Sequence, residues 1–260
     1  MNKLPTLFLS HGSPMHAINA GKAGEVWAAL AKQLPVPKAV LMVTAHWESN
    51  LPMLSGNAKP SMIYDFGGFP QELYKIAYPA PGAPEVAARA QELLKAAGIT
   101  AGIDGCRGMD HGTWVPLLKM YPDANVPVVQ LSVQPAMNPQ HHVEVGRALA
   151  SLTREGVLIV GSGHLTHNLR DWMMSRGQQG KAPYAVQFQD WVHQHIVAHD
   201  VDGLARYRTD APEAVRAHPT EEHFLPLFVA VGAAGDDAKV ERVFDGFEGN
   251  ALAMDAYRFG

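Results

Sequence analysis

The feature that most constrains this chain is a short apolar run that repeatedly stops on a histidine. Thr6–Ser10 leads into His11-Gly12, Val40–Ala45 into His46-Trp47, and Val157–Ser162 into Gly163-His164-Leu165-Thr166-His167. A fourth run, Val126–Ser132, has the same character without the histidine. Short, nearly continuous apolar runs are what strands covered on both faces require. The segments between them carry helical spacing, clearest over Pro84–Ala97, Gln140–Glu155 and Tyr184–His199. Strands alternating with helices predict an α/β fold with a central, mainly parallel sheet flanked by helices. Ligands of such sheets bind beyond the carboxyl ends of the strands, so three strands deliver histidine to the edge where a site is expected. No repeat, low-complexity tract or polar linker divides the chain, and residues 1–260 read as a single domain.

Composition narrows the chemistry. Thirteen histidines occur in 260 residues, and a side chain that titrates near neutrality is costly to collect without a metal or a proton to handle. A chain of this length buries a sizeable core without structural metal, which points to a functional role for any metal it binds. The net charge of -4, with no basic run, argues against nucleic acid as a partner. No apolar stretch approaches the roughly 20 residues that span a bilayer, which argues against a membrane. The apolar run Leu7–Leu9 is too short for a secretory signal, and the single cysteine, Cys106, suits a reducing compartment, so the expected location is the cytoplasm. Cys106 has no evident base beside it and reads as structural.

The candidates for chemistry are His11, His46, His111, His164, His167 and His223. Three neutral imidazoles around an open position suit Zn(II) or Fe(II). His111 lies in Gly108-Met109-Asp110-His111-Gly112-Thr113-Trp114, where Asp110 either orients it or caps a helix beginning near Gly112. His223 follows Thr220-Glu221-Glu222 and precedes Pro226, which places it near a helix start. The stretch Pro60–Pro84 is rich in Gly, Pro and aromatics and reads either as a packed surface loop or as a pocket wall for a flat substrate. His195 and His199 are spaced i, i+4, but Ile196 stands where a zinc protease carries its glutamate, so they read as solvated helix residues. His16, His141, His142 and His193 read as surface groups, and His164 as a neighbour of the site. Neither Ser13 nor Ser162 sits in a G-x-S-x-G elbow.

These motifs resemble those of the 4,5-DOPA dioxygenases within the class III extradiol ring-cleaving dioxygenases. The resemblance is carried, in order, by His11–Met15, Thr44–Trp47, Tyr64–Pro70, Tyr78–Gly82, Asp110–Trp114, Lys119–Pro122, Gly163–Arg170 and His218–Pro226. It implies one non-haem metal held by His11, His46 and His223, with His111 and His167 as acid/base groups at the substrate position. Glu222 competes for the third ligand role, because the wider class uses a glutamate there. Adjacent residues of a helical turn point about 100° apart, so only one of the two ligates, and the resemblance favours His223. His167 is carried as a fourth ligand in a zinc-loaded form and as the acid/base in turnover. Ser13, Tyr64, Phe69 and Trp114 are expected to line the substrate. The implied partners are a small catechol and O2, and the implied product is a muconic semialdehyde formed by cleavage beside the diol. Fe(II) serves turnover, because O2 is spin-forbidden from attacking a catechol directly, while Zn(II) is compatible with the isolated protein. A zinc hydrolase and a non-enzymatic metal-binding protein are the alternatives. The expected assembly is a monomer or small homo-oligomer.

Overall fold

The structure is a computed structural model that describes residues 3–175 and 179–260. Its strands are β1 (Thr6–Ser10), β2 (Ala39–Glu48), β3 (Met53–Ser55), β4 (Gly102–Asp104), β5 (Val128–Val133), β6 (Val157–Gly163), β7 (Val240–Phe244), β8 (Phe247–Glu248), β9 (Leu252–Ala253) and β10 (Ala256–Phe259). Eight of them form one sheet in the order β4-β3-β5-β2-β6-β1-β10-β7, and β8 and β9 pair separately. The inner strands β5, β2, β6 and β1 are parallel, as the apolar runs predict. The flanks are mixed: β3 runs antiparallel to β5, and β10 antiparallel to β1 and β7. The chain reaches β3 from β2 through only four residues, too few for the crossover that parallel strands need.

The helices are α1 (Gly21–Gln33), α2 (Pro84–Ala96), α3 (His111–Met120), α4 (Pro139–Leu149), α5 (Leu169–Met174) and α6 (Pro183–Val197), then the short α7 (Val201–Ala205), α8 (Tyr207–Asp210) and α9 (Ala214–Ala217), and finally α10 (Leu225–Ala234). Alternate strand residues feed two cores. Leu7, Leu9, Val40, Met42, Leu158 and Val160 pack with Trp27 of α1 and Trp114 of α3. Their neighbours Phe8, Leu41, Val43 and Ile159 pack on the other face with Leu94 of α2, Val143 of α4, Phe188 of α6 and Phe228 of α10. Both faces of the inner strands are therefore covered. Among the described residues no helix is long and apolar enough to cross a membrane.

The helical expectations hold with shifted ends. The helix expected over Gln140–Glu155 stops at Leu149 and tightens into a 3-10 turn over Ala150–Thr153. The one expected over Tyr184–His199 ends at Val197, and His199 turns left-handed at φ 55°. His142 is a correction: it is a buried group, not a surface one. It shares the inward stripe of α4 with Val145 and Leu149, where its Nε2 accepts from the Gln134 amide at 3.1 Å and its Nδ1 donates to the Asn138 carbonyl at 3.1 Å. Burial pushes its pKa down to about 4, which keeps the ring neutral in that setting.

The site is positioned by how α10 meets the sheet. This helix is apolar on all sides and lies buried against β6 and α4. A Cβ at Gly161 would collide with the Pro226 carbonyl, and one at Gly163 with the His223 carbonyl. The two glycines thus let the start of α10 rest directly on β6, where the His164 amide donates to the His223 carbonyl at 2.8 Å. Gly163→Ala is expected to cost about 1–3 kcal/mol of stability, the usual cost of overpacking, and, on the reading of His223 as a metal ligand, to weaken metal binding by displacing it. Chemical denaturation and zinc titration check this, and parental values in both would show that the close approach does not constrain the site.

Candidate active site

His11 follows the last residue of β1, His46 lies in β2, and His223 precedes α10. The pairing of β2 with β5 becomes irregular after Val43, so His46 sits in the distorted end of its strand and not in the turn beyond it. One ligand atom from each of the three residues lies within 4.8 Å of the others. Their outer nitrogens are each tied down. His11 Nδ1 meets Ser162 Oγ at 3.0 Å, and that hydroxyl donates to the Gly112 carbonyl, so it must accept from the ring. His46 Nδ1 lies 3.2 Å from Asp65 Oδ2, and His223 Nδ1 donates to Glu222 Oε1 at 2.8 Å. Carboxylates only accept, so every Nδ1 carries the proton and every Nε2 offers a lone pair.

The inward nitrogens have no proton to share. His11 Nε2 and His46 Nε2 face each other at 3.1 Å, and His223 Nε2 is buried without a hydrogen-bond partner. Burial, then the neighbouring imidazoles, hold His11 and His223 well below the ordinary histidine pKa. Burial and then His111 push His46 down to about 3. Neutral imidazoles with converging lone pairs repel one another, and a cation among them removes the repulsion. The donor set therefore fits a divalent metal, each ligand oriented by an acceptor behind it.

Glu222 takes the outer side of His223, where it also accepts from Thr220 Oγ1 at 3.1 Å. The His167 ring stacks on the His223 ring at 3.5 Å and 13°, and its nitrogen groups with Glu222 and His223, apart from His11 and His46. Burial, then His111, push the His167 pKa down to about 4. His164 Nε2 accepts from the Gly12 amide at 3.1 Å, which fixes the turn after His11.

A cavity of about 400 Å³ opens over these histidines. Its wall includes His111, His167, Ser13, Phe66, Phe69, Leu169, Trp172 and Glu248. Of the residues expected to line the substrate, Ser13 and Phe69 line this cavity and Tyr64 and Trp114 do not. Tyr64 donates its hydroxyl to the Ile76 carbonyl at 2.7 Å, and the buried Trp114 donates Nε1 to the Ile63 carbonyl at 3.2 Å. Both stand behind Phe66, with ring centroids 6.1 and 6.2 Å from it. Their polar groups are bound to backbone of the loop, so they brace its aromatic face from the rear.

His111 opens α3, and Asp110 is the cap: its Oδ1 accepts from the Thr113 amide at 3.1 Å and from Thr44 Oγ1 at 2.8 Å. The group beside the His111 ring is Asp65, whose Oδ1 lies 3.0 Å from His111 Nδ1. Burial opposes the charge on Asp65, but the His111 hydrogen bond and the nearby imidazoles outweigh it and hold this carboxyl below its ordinary range. Sequence reasoning missed Asp65, although it is the one acid in the aromatic stretch Tyr64–Pro70. His195 bonds its own helix through the Trp191 carbonyl, and Cys106 is exposed.

A family description, the catalytic LigB subunit of aromatic ring-opening dioxygenase, matches residues 5–260. A protein of Beta vulgaris named 4,5-DOPA dioxygenase extradiol is 42% identical, with 98% of this chain and 96% of that protein covered. An Escherichia coli K12 protein of the same name is 37% identical, with 99% and 95% covered. The crystal structure of an uncharacterized Escherichia coli K12 protein superposes with a TM-score of 0.83 at 32% identity, covering 99% of this chain and 100% of that one. The chain therefore belongs to the LigB family of aromatic ring-opening dioxygenases, the extradiol ring-cleaving oxidoreductases.

Proposed function

We propose that this enzyme opens a DOPA-like catechol beside its diol, with a single metal ion held by the Nε2 atoms of His11, His46 and His223. The observation that carries the reading is the pair of unprotonated nitrogens facing each other at 3.1 Å beside an aromatic-walled cavity. Bound Fe(II) would supply the electron sharing that lets O2 react with a catechol. The single match over residues 5–260 supports reading 1–260 as one catalytic domain, and the free, exposed Cys106 suits a cytoplasmic home.

The chain's own groups have distinct tasks in this reading. Phe66, Phe69 and Trp172 hold the flat ring and keep water from it. His111, with Nδ1 held toward Asp65, takes a catechol proton at Nε2 as the substrate binds. His167, neutral and stacked against His223, handles the proton returned when the ring opens. Together with the metal, these two bases let a diol bind and react near neutral pH. Zinc would hold the same ligands in the same tautomers, so the site accommodates it in the isolated protein.

Anaerobic loading of the metal-free protein with Fe(II), followed by DOPA and O2, is expected to consume oxygen and yield a yellow semialdehyde. His111→Ala and His167→Ala should each retain iron and lose about 10²–10⁴-fold in turnover. Absence of oxygen uptake with DOPA, caffeate, protocatechuate and catechol alike would refute the reading, and parental turnover in both variants would remove the assigned bases.

The depressed ligand pKa values set a second outcome. Three ordinary imidazoles of pKa about 6.5 would lose roughly a thousandfold in metal affinity between pH 7.5 and 5.5, because each must shed a proton to bind. Here burial keeps the ligands neutral to lower pH, His46 to about 3. The zinc dissociation constant should accordingly change less than tenfold across that window, and calorimetric titration at both pH values reads it. A thousandfold loss would show that the rings titrate as exposed histidines.

A further inference from the structure

Asp65 belongs to the loop that walls the cavity, yet its carboxylate faces two histidines with different tasks. Oδ2 lies 3.2 Å from His46 Nδ1. Oδ1 lies 3.0 Å from His111 Nδ1 and also accepts the His111 backbone N–H at 2.9 Å. The two rings are close neighbours, with centroids 4.0 Å apart and planes inclined at 51°. We propose that Asp65 is a positioning residue that sets the tautomer and direction of the metal ligand His46 and of the proton acceptor His111 together, through one oxygen each.

The geometry explains why a carboxylate stands at this position. Each ring must keep its proton on Nδ1 to present Nε2, His46 to a metal and His111 to a substrate hydroxyl, so the group between them must accept twice and donate nothing. Asparagine can accept at one oxygen only, and its amide would point a donor at the other Nδ1–H. Alanine serves neither ring. Ile63 and Tyr64 anchor the loop before Asp65, but the side after it is open: Gly67 and Gly68 follow Phe66, Gly68 has φ +76°, and neither has neighbouring atoms where a side chain would begin. Phe66 meets the His111 ring edge-on at 5.6 Å, so a displaced Asp65 would also release an aromatic contact to the same histidine. The inference rests on the reading of His46 as a ligand and of His111 as the proton acceptor.

The full-length protein, its Asp65→Asn and its Asp65→Ala variants should be compared by zinc titration and, in the zinc-loaded state, by NMR of protein labelled with 15N-histidine. The parent is expected to show downfield Nδ1–H resonances from both His46 and His111. Asp65→Ala should lose both and bind zinc about 10–100-fold more weakly, the usual effect of removing a partner behind a metal-bound imidazole. Asp65→Asn, which preserves size and folding, should retain one of the two resonances. Zinc affinity within threefold of the parent in both variants, with both resonances intact, would overturn the positioning role while leaving the metal site standing. Failure of the parent itself to bind zinc would instead defeat the metal reading on which the inference rests.

Discussion

His11 Nε2 and His46 Nε2 face each other at 3.1 Å with both protons held on the far sides of the rings, and much of the structure exists to hold that unfavourable pair in place. Left alone, one ring would turn or take up a proton. Turning is resisted by Ser162 and Asp65, each behind one ring. Protonation is resisted by burial, which lowers the pKa of both groups. His223 completes the set in the same manner, with Glu222 behind it. A metal ion bound between the rings would resolve the repulsion that the fold has arranged.

The sheet is what brings these rings together. β1 and β2 are separated only by β6, and all three are parallel, so their carboxyl ends reach one edge. β6 supplies Ser162, and its glycines let α10 approach closely enough to present His223. The Gly161-Ser162-Gly163 segment forms the end of β6. Its small residues make room for a helix, and its hydroxyl orients the His11 ring.

The parallel strands and the His11 and His46 candidates were legible in the chain because burial on two faces forces an apolar run, and a histidine ending such a run breaks the pattern; His223 stood out only through its place near a helix start and the resemblance. The partners behind them were not legible. Asp65 and Ser162 are ordinary residue types whose significance comes from contacts with rings 19 and 151 residues away in sequence, and Glu222, weighed as a rival ligand, shows its place behind His223 only in the structure. The aromatic loop was recognisable as a wall, but which aromatics face inward depends on backbone acceptors: Tyr64 and Trp114 find theirs at Ile76 and Ile63 and turn away, while Phe66 and Phe69, with no polar group to satisfy, take the cavity side. His142 was misjudged because only the packing of α4 reveals its inward direction. The mixed flanks of the sheet escaped notice because β3 and β4 are only three residues long, too short to show a period.

Binding of one ion by three neutral imidazoles through Nε2 is open to direct test. Crystals of the zinc-loaded protein, measured on both sides of the zinc absorption edge, test it most directly. A single strong anomalous peak is expected about 2.0–2.1 Å from Nε2 of His11, His46 and His223, with Glu222 outside bonding distance. A peak bonded to Glu222, or one placed between His46, Asp65 and His111, would contradict it.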